Sequence, residues 1–248
     1  MEKVKFEFKN EVVENKTIIT LSGVVRQPYP WDEEDEAINE KLIRNTLDGV
    51  TGDVLIRLNS PGGDVFEGIS ICNYLKSIDN KVTIEITGVA ASAASIISMG
   101  ADKVIMDKGT SMMIHEASTI AWGNKTEIQK TLNALSTIDK SLVAIYQDKT
   151  GLDTDTLNGY LTNETWFTAE EAVEAGFADE VGNVKVEESI EEEEVDNSVS
   201  SKNDETDKFE DVIKELSAKV DALMNKEEQV VTEEKPKTNL LNQFLGGI

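Results

Sequence analysis

The chain has 248 residues, with 24 Lys and Arg against 48 Asp and Glu, a formal net charge of -24. Such an excess of negative charge repels phosphate backbones and anionic lipid, which argues against nucleic-acid and membrane-surface binding. No apolar run reaches the roughly 20 residues that a membrane span needs, and Met1-Glu2-Lys3-Val4-Lys5 lacks the apolar core of a signal peptide. Those features point to a cytoplasmic protein. One cysteine, Cys72, and one histidine, His115, rule out an intrachain disulfide and argue against a His-based zinc cage.

Residues 1–186 read as an α/β domain. In chain order, strands are expected at Thr17–Val25, Val54–Leu58, Lys81–Ile86, Val104–Met106 and Met112–Ile114. Helices are expected at Asp35–Leu47, Val65–Ile78 and Ala91–Met99. A long helix follows, with Ile128, Leu132, Leu135, Ile138, Leu142 and Ile145 on one face. Thr168 and Glu171 form a capping-box pattern and Gly176 a stop signal, which predicts one more helix. Alternation of strands and helices implies βαβ units with right-handed crossovers.

Residues 187–248 differ in composition, with 18 acidic and 7 basic side chains. The stretch 187–207 holds too little apolar surface to offset the entropy of ordering it, and reads as a disordered linker. Phe209, Ile213, Leu216, Val220 and Leu223 then make a short heptad seam, which predicts a helix over about 208–225 suited to self-association or to docking on a partner.

Four segments carry candidate chemistry. Asn59-Ser60-Pro61-Gly62-Gly63-Asp64 lies between a strand and a helix, where two glycines let backbone amides turn outward. Gly88-Val89-Ala90-Ala91-Ser92-Ala93-Ala94-Ser95 also joins a strand to a helix. It sets Ser92 in the first helical turn, with the Ala93 amide near a developing oxyanion, and leaves Ser95 as a packing residue. Met112-Met113-Ile114-His115 puts the one histidine at a strand end, where it can serve as the base that a serine nucleophile needs. The fourth segment runs from Asn163 to Asp179.

Taken together and in this order, the four segments resemble the Clp protease proteolytic subunit family, most closely its phage and prophage head-maturation branch. The resemblance spans about Leu21 to Val181. It rests on Ser-Pro-Gly-Gly, Gly-Val-Ala-Ala-Ser, Met-Ile-His, and Trp-Phe-Thr-Ala-Glu-Glu-Ala ending at Gly176. It implies a Clp-protease/crotonase-like fold of repeated ββα units and a serine endopeptidase that forms an acyl-enzyme without metal or organic cofactor. Ser92 is then the nucleophile, His115 the general base and Glu164 the third member. Gly63 and Ala93 supply the oxyanion-hole amides, and Asp64 and Val65 pair with the substrate backbone. The family usually has Asp where this chain has Glu164, and Glu116 and Asp179 are the alternative acids. The resemblance further implies homo-oligomeric rings joined face to face through the Ile128–Ile145 helix, protein or peptide substrates, a Clp-type ATPase partner, and a tail that tethers the enzyme to capsid or scaffold proteins or serves as its own substrate. Rival readings on related folds are a crotonase-type acyl-CoA enzyme, a Ser–Lys signal-peptide-peptidase-like enzyme, and a non-enzymatic capsid-assembly or scaffold protein.

Overall fold

The computed structural model describes residues 4–29 and 37–182. The expected helix and linker of the acidic tail lie outside the described residues.

Among the described residues, eight strands form one sheet. Its main path is β1 (Glu7–Val13), β2 (Lys16–Ser22), β3 (Asp53–Ser60), β4 (Val82–Ala91), β5 (Lys103–Asp107) and β8 (Glu180–Gly182). β1 is an antiparallel edge on β2, and the remaining pairs along this path are parallel. Parallel strands need crossovers, and helices α1 (Glu40–Leu47), α2 (Val65–Ser77) and α3 (Ala93–Ser98) lie in the connections from β2 through β5. Ile56, Leu58, Ile84 and Ile86 are wholly buried, as expected of central strands covered on both faces. The architecture is the mixed α/β one expected.

The feature that builds the site is the length of β4. Its first half pairs with β5, Thr83 to Ile86 against Lys103 to Met106. Its second half leaves β5 and pairs with β6 (Ser111–Ile114), Val89 to Ala91 against Ser111 to Met113. β6 in turn pairs antiparallel with β7 (Thr165–Thr168). Three strand ends therefore meet at one place: the end of β4, the end of β6 and the start of β7.

Several expected boundaries shift for local reasons. β2 stops at Ser22, because Gly23 turns with φ 123°, and Val25 instead bridges to Gly63. The first helix is capped by the Asn39 side chain, so α1 begins at Glu40. α3 starts at Ala93, not Ala91, because β4 runs through Ala91. The long helix is α4 (Lys125–Thr150), with a capping box from Asn124 and Glu127 and a left-handed Gly151 at its end. Its buried residues are Leu142, Val143 and Tyr146, while Ile128 and Leu132 are about half exposed. The expected apolar stripe is thus inward only along its C-terminal half. α5 (Thr154–Thr162) follows, and α6 (Ala169–Glu174) carries the expected Thr168–Glu171 capping box. No helix among the described residues is long and apolar enough to cross a membrane.

Candidate active site

Ser92 occupies the single residue between β4 and α3, with φ 55° and ψ -122°. A non-glycine residue with positive φ is strained, and such strain persists only where the surroundings impose it. Here the Ser92 amide donates to the Met113 carbonyl at 2.9 Å, continuing the β4–β6 ladder. Its carbonyl accepts the Ser95 and Ile96 amides at 3.0 and 3.3 Å, beginning α3. The residue is held by a strand on one side and a helix on the other, and its side chain makes no capping bond. Ser92 is thus the cap position of the helix rather than part of its first turn. The hydroxyl stands at a sharp strand-to-helix elbow, the geometry that exposes a nucleophile.

His115 immediately follows β6, and its Nε2 lies 2.8 Å from Ser92 Oγ. In the Nδ1–H tautomer, Nε2 accepts the serine proton as the oxygen attacks an electrophilic carbon. The parallel register makes this contact: Ala91 is opposite Met113, and one and two steps on lie Ile114 and His115.

The Ser60–Asp64 turn packs directly against this elbow. A Cβ at Gly62, which has φ 87°, would come within 2.4 Å of the Ala91 carbonyl and 2.8 Å of Ser92 Cβ. Only glycine lets the two turns approach so closely. Val25 donates to the Gly62 carbonyl at 2.9 Å, and Asp64 donates to the Val25 carbonyl at 2.7 Å. In that parallel bridge the amide of Gly63, between them, points away from Val25. The Asp64 side chain caps α2 through the Phe66 and Glu67 amides.

Ser92 and His115 open onto a cleft of about 400 Å³ that Gly63, Asp64 and Val65 also line. Its depth is apolar, formed by Ile96, Leu135, Ile138, Leu142 and Tyr146. Gly63, Asp64, Val65, Ser92 and His115 therefore share one cleft. No motif marks Tyr146, although the spacing of Leu135, Ile138 and Leu142 marks the helix face beside it.

Glu164 sits just before β7 with φ 47°, where it ends α5 in a left-handed turn. Its carboxylate accepts a 3.4 Å hydrogen bond from the Trp166 indole. The alternative acids have partners of their own, and Glu116 also lines the cleft. Glu116 accepts from the Thr162 hydroxyl at 2.9 Å. Asp179 accepts from the Val104 amide at 2.7 Å and pairs with Lys149 at 2.9 Å.

Comparison with known proteins gives a consistent result. The sequence model described as Clp protease matches residues 11–185. The ATP-dependent Clp protease proteolytic subunit 1 of Protochlamydia amoebophila is 33% identical over 134 residues, 52% of this chain and 65% of that protein. The ATP-dependent Clp protease proteolytic subunit of a Bacteroides fragilis strain is 33% identical over 131 residues, 52% of this chain and 63% of that protein. That of Ligilactobacillus salivarius is 29% identical over 164 residues, 65% of this chain and 81% of the relative. The match thus spans somewhat under two thirds of the length of the first two relatives.

Proposed function

We propose that this chain, which belongs to the Clp protease family, is a serine-type endopeptidase in which Ser92 attacks the peptide carbonyl and His115 takes its proton. The observation that carries this reading is the 2.8 Å contact between His115 Nε2 and Ser92 Oγ at a strained strand-to-helix elbow. The amides of Gly63 and Ala93 receive the oxyanion, and the resulting acyl-enzyme is hydrolysed by water. Glu164 orients the imidazole and stabilises its charged form. Asp64 and Val65, at the mouth of the cleft, pair with the substrate backbone. The apolar lining behind Ser92 suits a substrate side chain that is itself apolar.

The peptidase unit is residues 1–186. Subunits assemble into a homo-oligomeric ring, a reading supported by the half-exposed Ile128 and Leu132 on α4 and the nearly fully exposed Ile120 and Trp122 ahead of it. Relatives named ATP-dependent support a Clp-type ATPase as the partner that delivers protein substrates. Within this class the acidic residues 187–248 and their heptad spacing favour a tail that docks on a capsid or scaffold protein, as head maturation in the host cytoplasm requires.

The test is covalent labelling with a fluorophosphonate probe alongside hydrolysis of a short peptide. Wild type takes up one probe per chain, and Ser92→Ala takes up none and hydrolyses nothing. Equal labelling of the two proteins would refute the assignment. The scaffold reading predicts no labelling of either.

A further inference from the structure

The nucleophile elbow is tied to α4 through two buried hydroxyls. Ser95 Oγ lies 2.6 Å from the Ser92 carbonyl and 2.8 Å from the Tyr146 hydroxyl. Ser95 is wholly buried, and Tyr146 is 1% exposed. A serine hydroxyl carries one proton. The carbonyl can only accept, so Ser95 gives its proton to Ser92, and Tyr146 must donate to Ser95. The direction of the chain is therefore fixed as Tyr146 to Ser95 to Ser92. Burial holds the Tyr146 phenol well above its ordinary pKa, in the protonated form that this direction requires. The Tyr146 ring is in turn fixed edge-on against Phe177, with centroids 5.7 Å apart.

We infer that Ser95 and Tyr146 are positioning residues, a buried relay that clamps the Ser92 carbonyl and so holds the strained elbow with its hydroxyl aimed at His115. Strain at Ser92 must be held by its surroundings. The amides that meet the same carbonyl belong to α3, a helix of only six residues that is a weak anchor alone. The relay extends that anchor 51 residues along the chain to the 26-residue α4, which also walls the cleft. Without it the elbow relaxes, the serine swings from the imidazole and the Ala93 amide leaves the oxyanion position. The relay's role in turnover rests on the peptidase reading above, while its hold on Ser92 does not.

The experiment compares wild type, Tyr146→Phe, Ser95→Ala, Ser92→Ala and the double variant Ser95→Ala/Tyr146→Phe. Ser95→Ala alone strands the Tyr146 hydroxyl in the core, whereas the double variant removes both partners and leaves no buried group unpaired. His115 is the only histidine, so its ring protons give one resolvable NMR reporter of the Ser92 contact. The relay predicts that the double variant shifts these resonances from the wild-type position toward that of Ser92→Ala, with Tyr146→Phe between. It also predicts a drop of about tenfold or more in kcat and in probe labelling. A residue that merely fills space would leave the His115 resonances in place. Unchanged resonances in the folded double variant, or in Tyr146→Phe if the double variant does not fold, overturn the relay. A wild-type protein that takes up no probe refutes the peptidase reading instead, and the relay is then decided by the His115 resonances, which need no turnover.

Discussion

His115 and Glu164 flank the end of the β6–β7 pairing, one directly after Ile114 and the other directly before Thr165. Ile114 and Thr165 are the last registered pair, and Glu164 leaves the strand with φ 47°. The carboxylate meets the Trp166 indole at a long 3.4 Å, a contact weak enough to exchange for one with an imidazolium.

This arrangement predicts that Glu164 matters to turnover and not to folding. Its φ of 47° is the left-handed conformation usually given to glycine at a helix end, and it costs a non-glycine residue about 1–2 kcal/mol. Glu164→Gly should therefore leave the thermal midpoint unchanged or raise it. Peptide hydrolysis should fall by about 10- to 1,000-fold, less than on loss of Ser92 or His115. Glu164→Asp should keep part of the activity. Full activity in Glu164→Gly would remove Glu164 from the triad.

Gly62 should tolerate no side chain. Alanine there would adopt a positive φ, at about 1–3 kcal/mol, and its Cβ would meet the Ala91 carbonyl at 2.4 Å. Gly62→Ala should lower the thermal midpoint by several degrees and abolish probe labelling, because relief of the clash displaces the Ser92 elbow. An active Gly62→Ala enzyme of wild-type stability would show that the two turns do not depend on their close approach.

Much of this site could be read in the chain, and what could not shares one cause. Ser92, Gly62 and Gly63 are marked by local chemistry, since each lies where a strand ends in small or turn-forming residues, and His115 is marked as the one histidine, directly after an apolar strand. β1 left no trace because it is an edge strand with nearly every residue exposed, so it has no apolar alternation. β7 and β8 have only four and three residues, too few to display a period. α5 buries just Leu157 and Leu161 and carries Gly159 inside it. Without β7, nothing in the sequence brings the segment after Glu164 alongside the strand that ends before His115. Ser95 and Tyr146 meet only because α4 crosses beneath the elbow, which no local pattern encodes. Ser92 itself was displaced by one structural step, because the small residues Ala90 and Ala91 extend β4 where helical packing was expected.

Acid should weaken two helix starts. The Thr156 backbone and hydroxyl hydrogen bonds hold Asp153 below the usual carboxylate range, and the Thr168 backbone and hydroxyl do the same for Glu171. A carboxylate with a depressed folded pKa adds stability that is complete above its unfolded pKa and is lost as pH falls through the folded value. The thermal midpoint of wild type should thus drop below about pH 4. Asp153→Asn/Glu171→Gln should start lower at neutral pH and show a shallower acid decline. Parallel pH curves for the two proteins would show that these caps do not titrate with unfolding.

Cys72 should be silent in the folded protein. It is wholly buried in the core, and burial pushes its thiol up to about 11. The thiolate is the reactive form, and at pH 8 its share is then roughly one in a thousand. The core must also open before any reagent reaches the sulfur. A disulfide reagent such as dithionitrobenzoate should therefore react with no thiol in native protein over hours, and with one per chain as soon as denaturant unfolds it. Because the folded thiol lies above its unfolded value, its contribution to stability is complete below about pH 8.5 and declines as pH climbs toward 11. Cys72→Ala should remove that part of the alkaline decline and lower stability across the whole range through the lost sulfur contacts. Peptide hydrolysis should be retained, since Cys72 lines no part of the Ser92 cleft. Rapid native modification of Cys72, or peptidase loss in step with its alkylation, would contradict its place in the core.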